Sequence, residues 1–254
     1  MELGAQFFTL RDFCKTPEGL AESLRRVADM GYRTVQISGT CPFDAQWMAK
    51  QLAENGLRCV ITHTPMDKIR EETPLVINEH KTFGCRYVGI GCAPHCFGEG
   101  EADMAALQAT IDAAAAPLKE AGMLLMYHNH ACEFGRDAQG RTYWQRLVEG
   151  YDETLLGFTL DTFWAQLGGQ DVPQLIRDMK GRVPCVHLKD LAVRVNTPAT
   201  APVGWGNLNF ESIIAACADA GTQYLLVEQD DCFEEDPFDC LKKSIDYLHA
   251  LGLQ

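Results

Sequence analysis

The chain has few basic residues and no block of them. Its 254 residues include 22 Lys and Arg against 35 Asp and Glu, which gives a formal net charge of −13 at pH 7. A surface of this sign repels phosphodiester backbones and anionic lipid headgroups. We therefore expect neither a nucleic-acid partner nor a membrane partner, and the charge alone is typical of a soluble protein.

Long apolar runs are also missing. No segment approaches the roughly 18 consecutive apolar residues that span a bilayer. The first eight residues lack the basic start, the apolar stretch and the cleavage site of a signal peptide. With 46% hydrophobic and 22% charged residues, the composition is that of an ordinary globular enzyme. Together these features predict a cytoplasmic protein.

Paired cysteine motifs are scarce, although the chain has 11 cysteines. An odd number scattered among apolar segments indicates reduced, mostly buried thiols. Only the segment Cys92-Ala-Pro-His95-Cys96 is similar to a zinc clip. A closed structural zinc site needs four ligands, and no second cysteine pair completes the set. We therefore interpret this segment as a loop at the rim of a pocket.

One unit repeats along the chain. It consists of an amphipathic stretch, a glycine that ends it, and a short apolar or β-branched run that finishes on a polar residue. The first helix is predicted to begin at Thr16 and Pro17 and to end at Gly31, before a strand at residues 34–38. With the opening run at residues 3–8 included, the chain has eight strands, each followed by a helix.

This alternation predicts parallel strands with helical crossovers. Eight units in 254 residues fit an α/β protein with a closed (β/α)8 TIM barrel. An open, doubly wound sheet is the alternative, and it calls for a glycine-rich phosphate turn after the first strand. The sequence QFFTLR at residues 6–11 is no such turn. No linker divides the chain, so residues 1–254 are predicted to form one barrel domain.

Polar residues end most of the predicted strands. Active sites of such barrels lie at the C-terminal ends of the strands, which here are Gln6, Gln36, His63, Gly91, His128, Asp161, His187 and Glu228. A chain that is leaving the core explains the polar ends of the first strands. It does not explain acidic residues and histidines on consecutive strands of the second half, because burying such groups is costly unless they pair or bind a cation.

Alternation along these strands strengthens the expectation. His128 and His130 lie two residues apart and face the same way, and so do His187 and Lys189. Carboxylates and imidazoles from adjacent strands would then converge at the top of the barrel. This mixture predicts one site for a divalent metal ion.

Five motifs, taken in order, resemble those of the sugar phosphate isomerase/epimerase superfamily. These are the xylose isomerase-like barrels that include inosose dehydratases and ketose 3-epimerases. The motifs are YHNHACEF at 127–134, LDTFW at 160–164, HLKD at 187–190, VGWGNLNF at 203–210 and EQD at 228–230. The resemblance covers nearly the whole chain. It implies an enzyme with one divalent ion, bound by a carboxylate near the fifth strand and by Asp161, His187 and Glu228.

The resemblance leaves the fifth-strand ligand open. In the epimerases a glutamate stands at the very end of that strand, where this chain has His128 and His130. Glu133, just beyond, resembles the glutamate of the subgroup with the Tyr-His-Asn-His signature. We expect Glu133 as the fourth ligand, with His128 as the alternative. Manganese is the ion expected first, and magnesium, cobalt or zinc suit the same ligand types.

Such a site implies proton abstraction next to the carbonyl of a small keto-sugar or sugar phosphate, through an enediolate that the metal stabilises. The candidate acids and bases are His128, His130, Glu133 and Glu228. Lys189 is predicted either to contact a substrate oxygen or to pair with a barrel carboxylate. Reprotonation makes an isomerase or epimerase, which the family implies. Loss of a β-leaving group makes a lyase or dehydratase, which the histidine pair favours.

Substrate contacts are predicted at the ends of the first three strands and at two aromatic rings: Gln6, Gln36, His63, Trp164 and Trp205. Tryptophan faces pack against sugar C–H groups, although plain loop packing explains either ring equally well. A DNA-repair endonuclease shares this barrel type, but the acidic surface disfavours it. A non-catalytic sugar-binding barrel is disfavoured by the intact ligand set. Family habit also implies a homo-oligomer.

Overall fold

A closed parallel barrel forms the centre of the computed structural model, which describes residues 1–253. Within these residues the strands are β1 (Glu2–Gln6), β2 (Thr34–Ile37), β3 (Arg58–His63), β4 (Tyr87–Ile90), β5 (Leu124–His128), β6 (Leu156–Asp161), β7 (Cys185–Leu188), β8 (Asp190–Arg194), β9 (Thr197–Ala201) and β10 (Tyr224–Val227). Around the barrel the order is β1-β10-β7-β6-β5-β4-β3-β2. The predicted (β/α)8 fold is confirmed.

Helices surround this barrel. In the described chain they are α1 (Pro17–Met30), α2 (Ala45–Glu54), α3 (Met66–Glu71), α4 (Thr73–Thr82), α5 (Glu101–Glu120), α6 (Tyr143–Gly150), α7 (Thr162–Leu167), α8 (Val172–Asp178), α9 (Phe210–Ala220) and α10 (Pro237–Ala250). None of the helices formed by residues 1–253 combines the length and the hydropathy that crossing a bilayer requires.

The predicted start and end of the first helix are present in the structure. The Thr16 hydroxyl accepts the Gly19 N–H at 3.1 Å and so satisfies one free donor of the first turn, and Pro17 takes the first helical position. Gly31 ends α1 with φ of 111°, a left-handed conformation that a residue with a Cβ adopts only at a cost. The following strand can therefore start at once.

Alternation along the strands divides the core into two layers. On β10, Leu225 and Val227 pack outward in the main core between the sheet and the helices. Leu226 instead joins an inner cluster with Met126 and Cys185 inside the barrel. This plug of apolar side chains closes the barrel below its C-terminal end. Residues two positions further along each strand therefore project above the plug.

Four elements are absent from the sequence interpretation. The helices α3 and α7 are short and follow β3 and β6 directly. The strands β8 and β9 form an antiparallel hairpin outside the barrel, and Val195 and Asn196 turn it with positive φ angles of 49° and 63°. The hairpin extends the loop after β7 and brings its two ends together beside the barrel mouth.

Candidate active site

Four buried side chains meet at the C-terminal end of the barrel. They are His128 on β5, Asp161 on β6, His187 on β7 and Glu228 directly after β10. One ligand atom from each lies within 4.8 Å of the others. Their strands are consecutive around the barrel, and Asp161 is directly paired with His187 in the sheet. The topology therefore produces the convergence that the strand ends predict.

In each of these four side chains, one polar atom faces the cluster and the other forms a hydrogen bond outside it. The Nδ1–H of His128 donates to the Gly91 carbonyl at 2.9 Å, and the Nε2–H of His187 donates to Oε1 of Gln36 at 2.6 Å. These bonds leave Nε2 of His128 and Nδ1 of His187 facing the cluster. Second contacts of this kind orient histidines toward a metal.

The two carboxylates are fixed in the same way. Oδ1 of Asp161 accepts the Trp164 N–H at 3.0 Å, because Asp161 caps α7, and Oδ2 faces the cluster. Oε1 of Glu228 accepts from Nε2 of Gln6 at 2.6 Å, which leaves Oε2 for the cluster. The Asp161 N–H also donates to the side chain of Asn129 at 2.9 Å. Nothing in the sequence indicates this role of Asn129.

The donor set fits a divalent cation. Nδ1 of His187 and Oε2 of Glu228 are both buried and face each other inside the cluster. They lie 2.9 Å apart, and Nδ1 of His187 is 3.6 Å from Oδ2 of Asp161. Buried carboxylates need a counter-charge, and a divalent cation at this point would supply one to both of them.

Lys189 brings a positive charge into the same cluster. Its Nζ lies 2.8 Å from Oε2 of Glu228 and 3.0 Å from both Oδ2 of Asp161 and a carboxylate oxygen of Asp230, and its side chain is 1% exposed. Burial alone would lower the pKa of Lys189, but the three carboxylates outweigh it and raise the pKa. Lys189 is therefore protonated, and its sequence interpretation as the partner of a barrel carboxylate describes the geometry.

The ionisable groups of the site shift one another's pKa values. Burial would raise the pKa of Glu228, but Lys189 and His187 hold it well below its usual range. For His187, burial acts to lower the pKa, and Glu228 with Asp161 raises it to about 9. Burial lowers the pKa of His130 to about 3, with His128 acting in the same direction, so its imidazole is neutral.

Glu133 does not join the cluster. It is fully buried on a short 3-10 helix, Cys132–Phe134, where Oε1 accepts the Tyr127 hydroxyl at 2.6 Å and Oε2 accepts the His130 N–H at 2.8 Å. The turn of this helix directs the carboxylate back under the strand. In the structure, therefore, His128 and not Glu133 stands beside Asp161, His187 and Glu228.

A cavity of about 400 Å³ opens above the cluster. The predicted residues that line it are Gln6, His63, His128, His130, Lys189 and Glu228. Asp230 and Ser38 line it as well; Ser38 was not singled out from the sequence because a small hydroxyl after a strand carries no distinctive signal. Cys92 is also part of the wall, in agreement with the interpretation of its segment as a rim loop.

The two tryptophans take different places. The Trp164 ring lies 5.1 Å from the His130 ring and 5.5 Å from Nζ of Lys189, so it stands behind two cavity residues. Trp205 is 65% exposed and lies next to Lys243, beside a different cavity under the hairpin. The structure does not bring Trp205 to the candidate active site.

The glycine-rich loop after the hairpin encloses a carboxylate. The two side-chain oxygens of Asp190 accept backbone N–H groups of Gly204, Gly206 and Leu208 at 2.8–3.1 Å and of Leu191 at 2.8 Å. A Cβ on Gly206 would lie 2.5 Å from Oδ1 of Asp190, so only glycine allows this approach. The amides of this loop are thus occupied by the chain's own anion.

Comparison with known proteins adds the family. The model of the xylose isomerase-like TIM barrel matches residues 24–251. The chain belongs to this family. It is similar to an inosose dehydratase from Clostridium perfringens (strain 13 / Type A), with 23% identity over 256 residues that cover 85% of this chain and 82% of that protein.

Two solved structures share the fold. A sugar phosphate isomerase/epimerase from Parabacteroides distasonis ATCC 8503 superposes with a TM-score of 0.79 at 23% identity, over 98% of this chain and 93% of the other. An L-ribulose 3-epimerase superposes with a TM-score of 0.71 at 19% identity, over 100% and 95% of the two chains. The neighbours therefore include enzymes named for isomerisation, epimerisation and dehydration, and the resemblance read from the motifs is confirmed.

Proposed function

We propose that this protein is a divalent-metal-dependent enzyme that removes a proton next to the carbonyl of an unphosphorylated keto-sugar and then eliminates a hydroxyl group as water. The observation that carries the proposal is the cluster of His128, Asp161, His187 and Glu228, in which each side chain has one atom held by a partner outside the cluster and one atom that faces the other three side chains. Such a set is preorganised before any ligand arrives.

These four residues would hold the ion. When bound, a divalent ion polarises a substrate carbonyl and so acidifies the neighbouring C–H. Manganese, magnesium, cobalt and zinc all suit two carboxylates and two imidazoles. Gln6 and Gln36 support Glu228 and His187 from behind, and we assign them this positioning role in addition to the predicted contact with substrate.

The two sides of the cavity carry different groups. His130, on one side, lines the cavity as a neutral imidazole, and it is the candidate base that takes the proton from carbon. Lys189 and Asp230, on the other side, are paired at 3.0 Å and both line the cavity. The Lys189 ammonium can donate a proton to a departing hydroxyl, which leaves as water.

Glu133 supports elimination over epimerisation. Epimerases of this family bracket the substrate with two carboxylates, and here the fifth-strand carboxylate is bonded to Tyr127 and the His130 N–H instead. The remaining carboxylates of the cavity wall, Glu228 and Asp230, both follow β10 and lie on one side. Epimerisation is the second candidate, and the fold shared with an L-ribulose 3-epimerase favours it.

The position of Asp190 favours a substrate that has no phosphate group. TIM barrels often bind phosphate through the loops after their last two strands, and here the amides of Gly204 and Gly206 already donate to Asp190 at 2.8–2.9 Å. A phosphate placed there would lose these donors and meet a carboxylate. An unphosphorylated sugar avoids both penalties.

A single NMR experiment tests the proposal. The protein with manganese is incubated in D2O with a panel of keto-sugars and inososes, each with and without phosphate. We expect exchange of a C–H next to the carbonyl in an unphosphorylated member, followed by a product that has lost one water. An epimer in place of the dehydrated product would establish the second candidate. Metal-loaded protein that produces neither exchange nor product across the panel would contradict both.

A further inference from the structure

A second cavity lies beside the first one. Its volume is about 410 Å³, against about 400 Å³ for the cavity above the metal cluster. The two share a wall made of Ser38, His63, Thr64 and Pro65, which lie just beyond β2 and at the end of β3. The two cavities therefore adjoin at these four residues.

Beyond the shared wall, the second cavity is lined by aromatic rings and by the ion pair of Lys68 and Glu79. Phe43 and Phe83 meet edge to face with their ring centroids 6.1 Å apart, and the His80 ring lies 5.0 Å from that of Phe83. Ala45, the first residue of α2, adds a small apolar side chain to the same wall. Aromatic edges and faces arranged in this way bind another ring better than they bind hydroxylated groups.

The shared wall, in contrast, is polar. Nδ1 of His63 lies 3.2 Å from the Ser38 hydroxyl, and its Nε2 is buried with no hydrogen-bond partner in the part of the chain that the structure describes. Thr64 adds a second hydroxyl, 2.8 Å from that of Thr62. An occupant that spans both cavities would therefore place a polar linking atom at the wall and an apolar group beyond it.

The size of the first cavity also supports an occupant that spans both cavities. Pockets of about 300–1,000 Å³ enclose molecules of drug size, so the cavity over the cluster accommodates a monosaccharide ring by itself. A free keto-sugar would leave the second, aromatic cavity without a role. A keto-sugar linked through an ether oxygen to an aromatic ring would use the cluster, the polar wall and the aromatic end.

We propose that the second cavity is a subsite for the aromatic substituent of the substrate, so that the substrate class is an aryl glycoside whose sugar ring carries a ketone on a carbon other than the anomeric one, rather than a free sugar. The anomeric carbon of a glycoside is an acetal, so the carbonyl that acidifies the C–H must lie elsewhere on the ring. The identification of the ring over the cluster as a keto-sugar rests on the proposed function. The subsite itself rests on the second cavity and its lining. Elimination would then take place on a sugar that still carries its aryl group.

Binding of unreactive glycosides tests the subsite without turnover. Methyl and phenyl β-glycosides of glucose, galactose and mannose are added in pairs to the manganese-loaded protein, and saturation-transfer NMR and calorimetry measure contact and affinity. For at least one sugar we expect the phenyl glycoside to bind about tenfold more tightly than the methyl one, because its ring is buried against apolar surface. Saturation should be strongest at the phenyl protons.

Two variants of α2 give a matched comparison. Ala45→Phe fills the second cavity and should abolish the phenyl preference while leaving methyl glycoside binding within about twofold. Ala53→Phe, on the exposed side of the same helix, should retain the preference. If Ala45→Phe does not fold, Phe43→Leu removes one aromatic edge and should weaken the preference instead.

Three results would overturn the subsite: equal affinity of methyl and phenyl glycosides in the wild type, a phenyl preference that survives in the filled variant, or no binding of any glycoside. The deuterium-exchange experiment separates this outcome from failure of the proposed function. Exchange into free keto-sugars without a phenyl preference would refute only the subsite. A phenyl preference without exchange in any keto-sugar would refute only the proton chemistry.

Discussion

The ammonium nitrogen of Lys189 lies 2.8 Å from a carboxylate oxygen of Glu228, and both side chains are almost completely buried. The same nitrogen is 3.0 Å from Oδ2 of Asp161. Without a bound ion, Lys189 is therefore the nearest positive charge that balances the two carboxylates among the described residues. A metal ion and Lys189 stabilise the same pair of anions, and the stability of the protein should reveal this overlap.

Replacing Lys189 by Met should destabilise the metal-free protein by about 3–5 kcal/mol, because it removes the nearest counter-charge of the buried carboxylates. Saturating manganese should recover much of this loss, since a ligand that binds only the folded state stabilises it. Urea unfolding with and without the ion measures both values. Lys180→Met, at an exposed position, is the control. An equal loss in both conditions would show that Lys189 does not balance the metal ligands.

Glu133→Gln should lower kcat about tenfold while the metal content stays unchanged. The amide has only one acceptor oxygen for two donors, the Tyr127 hydroxyl and the His130 N–H, and a hydrogen bond to a charged group is worth about 1.5–3 kcal/mol. The turn that carries His130 would loosen. Tyr127→Phe removes one donor only and should have a smaller effect on kcat. Unaltered kcat in Glu133→Gln would refute the positioning role.

His80 should make the folded state sensitive to acid. Burial lowers its pKa to about 4 in the folded protein, from 6.5 in the unfolded chain. The unfolded state therefore binds the proton more readily, so this stabilisation is complete above pH 6.5 and is lost as the pH falls from 6.5 to 4. One pKa unit corresponds to about 1.4 kcal/mol, so the loss is on the order of 3 kcal/mol.

The variant His80→Gln isolates this contribution. Its unfolding free energy should fall less than that of the wild type between pH 6.5 and pH 4, and the difference between the two curves gives the histidine's share. The exposed His249 provides the control, because His249→Gln should follow the wild-type curve. Parallel curves for wild type and His80→Gln would mean that His80 is not buried as a neutral imidazole.

Asp190→Asn should destabilise the protein by about 2–3 kcal/mol, because one of two oxygens that accept backbone N–H groups becomes a donor. Amide exchange should speed up at Gly204, Gly206 and Leu208 and remain slow elsewhere. Asp12→Asn, which breaks an exposed ion pair, should change stability by less than about 1 kcal/mol. Unchanged exchange at the three amides would show that Asp190 does not organise this loop.

The sequence predicts much of the fold because its signals are local. Thr16, Pro17 and Gly31 mark the ends of α1, and polar strand ends appear where three or four apolar residues stop. The sequence does not predict the helix α7 or the hairpin β8–β9. Asp161 was interpreted as a strand end and a ligand, yet its other oxygen caps α7, and one residue type serves both purposes equally well.

From the sequence, only side chains at strand ends can be assigned to the site, because the alternation of a strand determines which way they point. As polar strand ends, Asp161, His187 and Glu228 are predicted to converge at the top of the barrel, and the family resemblance implies that they are ligands; the structure brings them together. Glu133 lies five residues beyond His128 on the 3-10 helix Cys132–Phe134, and that turn decides where its carboxylate points. Spacing alone contains no information about that turn. The supporting contacts of Gln36 and Asn129 join residues far apart in sequence, and for that reason they appear only in the folded chain.

Metal content measures the central claim most directly. Wild type, Glu133→Gln, His128→Gln and Asp161→Asn are purified, stripped with a chelator, reloaded with manganese and analysed by inductively coupled plasma mass spectrometry. We expect about one ion per chain in the wild type and in Glu133→Gln, and substantial loss in His128→Gln and Asp161→Asn. Full metal content in His128→Gln, together with loss in Glu133→Gln, would contradict the ligand set derived from the structure.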